Sequence, residues 1–325
     1  MYDKKIAYLI LAHQDFENLE RLINRIDYKS DFFIHVDGKK NIDDLLEKYK
    51  MRENIYFIEN RFIVNWAGFN MVLATQELIK SALEKNDNYS HLILLSGGDY
   101  PIKNKQYIYD YFTSNDGVEY IRAYSLNQSK CKHCEERVMK YWFFDSIISK
   151  NEMVNRIFRK ILTTVASIIK KDKTIHINNN QLEVCLGSQW WAITTDCAKY
   201  VLNYIEQHEE INNYFKNAYA PDEMYFHTII FNSPYANKTI NNGIEKYSKK
   251  WHWNNIHYLK TDTLDCDYTQ EKKSISERLF NKFNGSISPC TEKDFDKVKN
   301  SEYLFMRKVN SNESKELLNL IDKII

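Results

Sequence analysis

The amino-acid sequence predicts an α/β fold: a mostly parallel central sheet flanked by helices. Three observations predict it. Strand patterns alternate with helical patterns through the first half of the chain, the run over residues 6–12 is continuously apolar, and three of the strands end in polar turns. Continuous apolar runs suit strands covered on both faces. Strand–helix–strand repetition sets successive strands side by side and parallel.

The elements follow in order. Residues 6–12 (Ile-Ala-Tyr-Leu-Ile-Leu-Ala) are the first strand, followed by His13-Gln14-Asp15 and a helix through Leu19, Leu22 and Ile23. Residues 31–36 form a second strand that ends at Asp37-Gly38, and a short helix carries Leu45 and Leu46. Residues 55–58 are a third strand, and Trp66-Ala-Gly-Phe-Asn70 opens a long helix with Leu73, Leu78, Ile79 and Leu83. Residues 91–95 are a fourth strand, closed by Ser96-Gly-Gly-Asp-Tyr-Pro101. Such sheets bind ligands beyond the carboxyl ends of their strands. His13, Asp37 and Ser96 to Asp99 therefore read as one nucleotide-binding edge, although strand ends are polar in any sheet.

The second half is less regular. Residues 153–169 are amphipathic, with Arg156, Arg159, Lys160, Lys170 and Lys171 set against Val154, Ile157, Phe158, Ile161 and Leu162. Two readings stay open for residues 153–171: a peripheral contact with an anionic membrane, or a core helix with a solvated basic face. Gly187-Ser-Gln-Trp-Trp-Ala-Ile-Thr194 reads as a turn running into a strand, with a helix over 196–205. No repeat or linker divides the chain, so residues 1–325 read as one domain.

A net charge of +1 gives no field to recruit nucleic acid. Aromatics at 14% are compatible with sugar stacking and equally with an ordinary core. No apolar run approaches the ~18 residues of a membrane span, and residues 6–12 lack a signal-peptide pattern. The expected address is cytoplasmic, with 153–171 as the candidate contact with the inner face of the membrane. Six cysteines are too sparse for a disulfide scaffold, and Cys131-Lys-His-Cys134 has no second pair at zinc-finger spacing. Free thiols are the expectation for both.

Two Asp-x-Asp strings could suggest a metal held between phosphates. Asp265-Cys-Asp267 lies in a charged stretch and Asp294-Phe-Asp296 at a helix start. Neither follows an apolar strand. The strand that should carry such a motif ends instead in Ser96-Gly-Gly-Asp99, and one carboxylate is a poor cage for a metal. Lys and Arg are expected in its place, with no metal required. Ala220-Pro-Asp-Glu-Met-Tyr-Phe-His227 sets Pro at a helix N1 position with acidic residues in the first turn, the local pattern of any helix start.

Taken together, the motifs resemble glycosyltransferase family 14, which contains the core-2/I-branching N-acetylglucosaminyltransferases and the peptide O-xylosyltransferases. The resemblance runs through Ile10-Leu-Ala-His13, Phe33-Ile-His-Val-Asp37, Val64-Asn-Trp-Ala-Gly68, Leu94-Leu-Ser-Gly-Gly-Asp-Tyr-Pro-Ile102, Gly187-Ser-Gln-Trp190 and Pro221-Asp-Glu223, in that order. Phe226-His-Thr-Ile-Ile-Phe-Asn-Ser-Pro234 and Ser288-Pro-Cys-Thr-Glu-Lys-Asp-Phe295 look closer to the xylosyltransferase branch, and Leu304-Phe-Met-Arg-Lys308 is similar to the family's basic motif.

The resemblance implies a GT-A-like, Rossmann-type fold. Residues 1–125 would be its nucleotide-sugar-binding half and 126–325 its acceptor-binding and catalytic half. It implies Glu223 as the catalytic base and Lys308, with Arg307, at the diphosphate. Ala12, His13 and Asp37 would border the uridine, Trp66 and Gly68 would lie near the nucleotide, and Asp99 would touch the donor. Arg137, from Glu136-Arg137, and Trp251 and Trp253, from Lys250-Trp-His-Trp253, are implied acceptor contacts, with Ser188 and Trp190 of the Gly-Ser-Gln-Trp motif as further substrate contacts. The implied reaction is inverting and metal-independent, from a UDP-sugar co-substrate to a glycan or glycoconjugate hydroxyl, with N-acetylglucosamine the first choice of sugar and xylose the second.

The sequence departs from the family at three points. Residues 284–290 hold no Arg or Lys where the branching enzymes keep a second diphosphate-binding cation, Cys134 replaces a Lys, and the membrane anchor of the animal members is missing. The last point implies a bacterial-type member. Two rivals remain: a metal-dependent transferase using an Asp-x-Asp string, and a carbohydrate-binding protein that has lost catalysis.

Overall fold

The structure is a computed structural model that describes residues 4–325 apart from 130, 147, 148, 150, 179, 248–254 and 261–287. The first half runs β1 (Ile6–Ala12), α1 (Phe16–Ile26), β2 (Ser30–Val36), α2 (Asp43–Tyr49), β3 (Ile55–Phe57), α3 (Asn70–Lys85), β4 (His91–Ser96), β5 (Asp99–Pro101), α4 (Lys105–Ser114) and β6 (Ala123–Ser125). The second half adds α5 (Lys132–Met139), α6 (Glu152–Ala166), β7 (Ile175–Ile177), β8 (Asn180–Leu182), β9 (Cys185–Gly187), β10 (Ala192–Thr194), α7 (Thr195–Gln207), α8 (Glu209–Phe215), α9 (Tyr225–Phe231), β11 (His257–Leu259), α10 (Phe295–Lys299), β12 (Phe305–Arg307) and α11 (Lys315–Ile321).

The main sheet has the order β10-β4-β1-β2-β3, parallel throughout except for the antiparallel edge strand β10. Every residue of β1, β2 and β4 is buried: β1 is apolar throughout, whereas β2 also buries Ser30, Asp31 and His35 and β4 buries His91 and Ser96. Alternate residues of β1 serve opposite cores. Ala7, Leu9 and Leu11 pack with α3 and α7, whereas Tyr8 and Ile10 pack with Leu19 and Leu22 of α1 and Ile108 and Phe112 of α4. Each large apolar side chain removed from water this way contributes roughly 1.5–3 kcal/mol.

The chain leaves β1 toward β2 and β3, then returns to β4 on the other side of β1. That reversal opens a crevice at the carboxyl ends of β1 and β4, where ligands of such sheets bind. A second sheet, β11-β12-β5, stands beside it, with Arg307 registered opposite Asp99. A third core, of Tyr100, Ile102, Val298, Met306, Leu317 and Ile321, locks β12 to β5. Arg21 of α1 binds Asp322 at 2.7 Å, and the Tyr100 hydroxyl donates to the same carboxylate at 2.6 Å.

The expected halves 1–125 and 126–325 are thus not separate units, because β10 completes the main sheet and β12 pairs with β5. The predicted long helix starts at Asn70, and Trp66 to Phe69 form the turn before it.

Candidate active site

The first corner of the site is cationic. Arg307 leaves β12 opposite Asp99, and its Nη1 donates to Asp99 Oδ1 at 2.6 Å and to the Ser96 hydroxyl. The guanidinium carbon lies 4.0 Å from the centre of the Trp190 ring, a cation–π seat. Asp99 is fully buried, and its other oxygen accepts from the Ser96 backbone N–H at 2.8 Å and meets His257 Nε2 at 3.1 Å. Burial alone would raise the Asp99 pKa, but Arg307 and His257 hold it down to about 2.

Lys308 follows, its stem 3.5 Å from where a Cβ on Gly98 would stand. Its side chain has no ion-pair partner among the described residues. His13 completes this corner: desolvation, then the Lys308 charge, lowers its pKa, while Asp37 pulls the other way. The Asp37 N–H donates to Ala12 O at 2.9 Å, which fixes the ends of β1 and β2 together.

The second corner is a carboxylate. Glu223 closes a 3-10 turn, Pro221–Glu223, that begins from Ala220 in the left-handed region, φ 47°. Ala67 is left-handed too, φ 63°, and the Ala220 N–H donates to Ala67 O at 3.0 Å. Strain of this kind costs an L-residue about 1–2 kcal/mol and persists where surrounding contacts enforce it.

Arg137 on α5 is the clasp. Its Nη2 donates to Glu223 Oε2 at 2.6 Å and to Ala220 O at 3.0 Å, and its Nε to Tyr219 O at 3.2 Å. Arg137 is buried, whereas Glu223 keeps 34% of its side chain exposed, so this carboxylate is held on one side and partly open to solvent. Burial and the adjacent Glu223 carboxylate push the pKa of Asp222 up.

The segment 58–69 joins the corners. The Gly38 N–H donates to Phe62 O at 2.8 Å and Lys39 Nζ to Val64 O at 2.8 Å on one side; on the other, Trp66 packs edge-on against Tyr219 at 5.5 Å. Asp145 caps α3 from outside by accepting the Asn70 N–H at 2.8 Å. Gly68 is required here because a Cβ would run into the Asp145 carboxylate. Both corners therefore lie along the carboxyl-end edge of the sheet.

Some expected contacts move. Asp99 has no exposed surface and both its oxygens are bonded, so it anchors Arg307 instead of touching a donor. Arg137 directs Nε and Nη2 to Glu223 and to the backbone behind it, so in this structure it holds that carboxylate. Trp190 is the seat of Arg307, and the Ser188 hydroxyl accepts the Trp190 N–H at 3.3 Å. Trp66 is 68% exposed and packs against Tyr219 and Phe144.

Cys131 and Cys134 form a disulfide rather than free thiols, since Cys131 is the N-cap of α5 and both sulfurs lie on one turn. Asp294 belongs to a capping box with Thr291 and binds Lys260 at 3.0 Å, the helix-start role its sequence indicated. Trp251, Trp253 and Asp265-Cys-Asp267 lie outside the described residues. Sequence reasoning missed His257, Asp145 and Tyr219. Each is a lone residue in an unremarked stretch, whose part depends on a partner at least 75 positions away.

The site is thus an α/β sheet with two cations and a partly exposed carboxylate along one edge. The chain belongs to the Core-2/I-Branching enzyme family, glycosyltransferase family 14, whose model matches residues 6–284. It is 21% identical over 247 residues to Xylosyltransferase 2 of Rattus norvegicus and 21% identical over 248 residues to Xylosyltransferase oxt of Drosophila melanogaster. Each alignment covers 74% of this chain and 26% of the relative, so the chain spans about a quarter of the curated relatives it matches. Among solved structures, mouse xyloside xylosyltransferase 1 aligns with a TM-score of 0.32 at 10% identity, over 81% of this chain and 91% of that one. Among the described residues, no helix is long and apolar enough to cross a membrane.

Proposed function

We propose that the chain transfers a sugar from a UDP-sugar to a hydroxyl of a glycan or glycoconjugate, with inversion and without a metal. The observation that carries this reading is the Glu223 carboxylate, clasped by Arg137 and open to the same sheet edge that bears Lys308 and Arg307. Glu223 takes the proton of the acceptor hydroxyl. The acceptor oxygen attacks the anomeric carbon from the face opposite the diphosphate, and the bond from that carbon to the phosphate oxygen breaks. Lys308 and Arg307 stabilise the charge that collects on the departing UDP. An α-linked donor then gives a β-linked product. The names of the relatives favour xylose over N-acetylglucosamine as the sugar.

The test is UDP release from a panel of UDP-sugars by the purified chain, with and without EDTA. Release from one sugar that EDTA leaves unchanged supports the reading and names the donor. Release abolished by EDTA overturns metal independence and turns attention to Asp265-Cys-Asp267. If no sugar is turned over, a UDP titration separates a strict acceptor requirement, which keeps UDP binding, from a lost activity.

A further inference from the structure

Helix α6 carries apolar side chains on two sides. Its inward side mixes polar and apolar groups, with Phe158, Leu162 and Ala166 half-buried beside Asn155 and Arg159. Asn155, its one buried residue, donates to Ser149 O at 2.8 Å and accepts the Ser149 N–H at 3.0 Å. Arg159, also turned inward, donates to Phe144 O at 2.7 Å and binds Glu152. A second apolar stripe points to solvent: Met153, Ile157, Ile161 and Val165, four residues apart, are 70%, 56%, 55% and 67% exposed, and Ile168 beyond the helix is 88% exposed. Of the fourteen large apolar side chains that the described surface exposes, seven lie in residues 153–169. A patch of this kind on a soluble surface marks a contact site.

Charge identifies the partner. Arg156 and Lys160 flank the stripe and Lys170 lies just past it, all exposed. The one acidic residue of the helix, Glu152, binds Arg159 and lies 3.8 Å from Arg156, so it offsets part of the positive charge at the start of the stripe and leaves Lys160 and Lys170 beyond it. An apolar arc bordered by cations matches the interface of an anionic bilayer, where the arc enters the acyl boundary and the cations meet headgroup phosphates.

We propose that α6 and residues 167–170 lay this chain on an anionic lipid surface. Through Phe144, which packs against both Trp66 and Tyr219, the docked helix sets the Glu223 corner beside that surface. Resting on the proposed transfer reaction, this orientation assigns an acceptor anchored in the same membrane.

The experiment is sedimentation of the full chain with vesicles of phosphatidylcholine alone or with about a third phosphatidylglycerol. Binding to the anionic vesicles is expected, at least about fivefold tighter than to neutral ones. Ile157→Asp with Ile161→Asp should lose at least about tenfold, and Arg156→Gln with Lys160→Gln should abolish the preference for anionic lipid. All these positions are exposed, and an unchanged melting curve confirms folding. No sedimentation with anionic vesicles, or equal sedimentation by the aspartate variant, overturns the proposal. So does a wild-type dimer that the aspartates dissolve without any vesicle binding, which assigns the stripe to a second copy. UDP release by the aspartate variant should match wild type, so a failure of lipid binding and a failure of the transfer reading are seen separately.

Discussion

Arg307 and Glu223 sit along the same edge of the sheet but are secured differently. Arg307 is fixed by strand register, by a fully buried carboxylate and by the face of Trp190. Glu223 rides on a three-residue turn that starts from left-handed Ala220 and is gripped by a single guanidinium. The cationic corner is part of the core, so damage to it should show in stability. The base corner is built of loops, so damage to it should show in rate.

The largest test of that contrast is Glu223→Gln. Transfer should fall by about 10²–10⁴-fold while UDP binds as before and the melting curve holds; near-wild-type turnover would remove Glu223 from the role. Asp99→Ala should do the opposite. Stripping the buried carboxylate from Arg307 and His257 should cost about 3–5 kcal/mol in urea unfolding, and a loss under 1 kcal/mol would deny the corner its place in the core. Next come the ligand-facing cations. Lys308→Ala should weaken UDP affinity by about 10–100-fold, the worth of a charge-assisted hydrogen bond, in a calorimetric titration; unchanged affinity would break the diphosphate assignment. Arg137→Ala should lower kcat by up to about a hundredfold through loss of aim, with Arg137→Lys restoring part of it and UDP affinity unchanged in both.

The smallest effect lies away from both corners. Glu119 is buried and accepts from the Thr194 N–H and hydroxyl, and burial pushes it up from 4.5 to about 6. The folded chain therefore holds this proton more tightly than the unfolded one. The contribution is full at low pH and lost as pH rises through about 6, a change of about 2 kcal/mol. Glu119→Gln should remove that share of the pH dependence between about 4 and 7, and an unchanged profile would place the titration elsewhere.

Much of this was legible in the sequence because it is local. The continuous apolar run gave β1, apolar-rich stretches gave β2 and β4, and the turns that end them gave His13, Asp37 and Ser96 to Asp99. Glu223 and Lys308 emerged only from the ordered set of motifs, since Pro221-Asp-Glu223 alone is an ordinary helix start. What stayed hidden was pairing. Nothing in Glu136-Arg137 tells that the guanidinium turns inward to Glu223, 86 residues on, and nothing in Asp99 tells that it is sealed beneath Arg307. The outward face of α6 was equally hidden, because a periodic pattern defines an apolar stripe without saying which side of it meets the protein.

The span of 208 residues between Asp99 and Arg307 also bears on how the chain is made. While Arg307 is still unsynthesised, Asp99 has no guanidinium to answer its charge, and β5 lacks its neighbour β12. Early folding intermediates should therefore keep the end of β4 hydrated and open, and the binding edge should close only with the last long-range contacts. Grafting residues 4–125 onto another scaffold would transplant an acid without its counter-ion, so chimaeras of this fold should be cut to carry β12 along with β5.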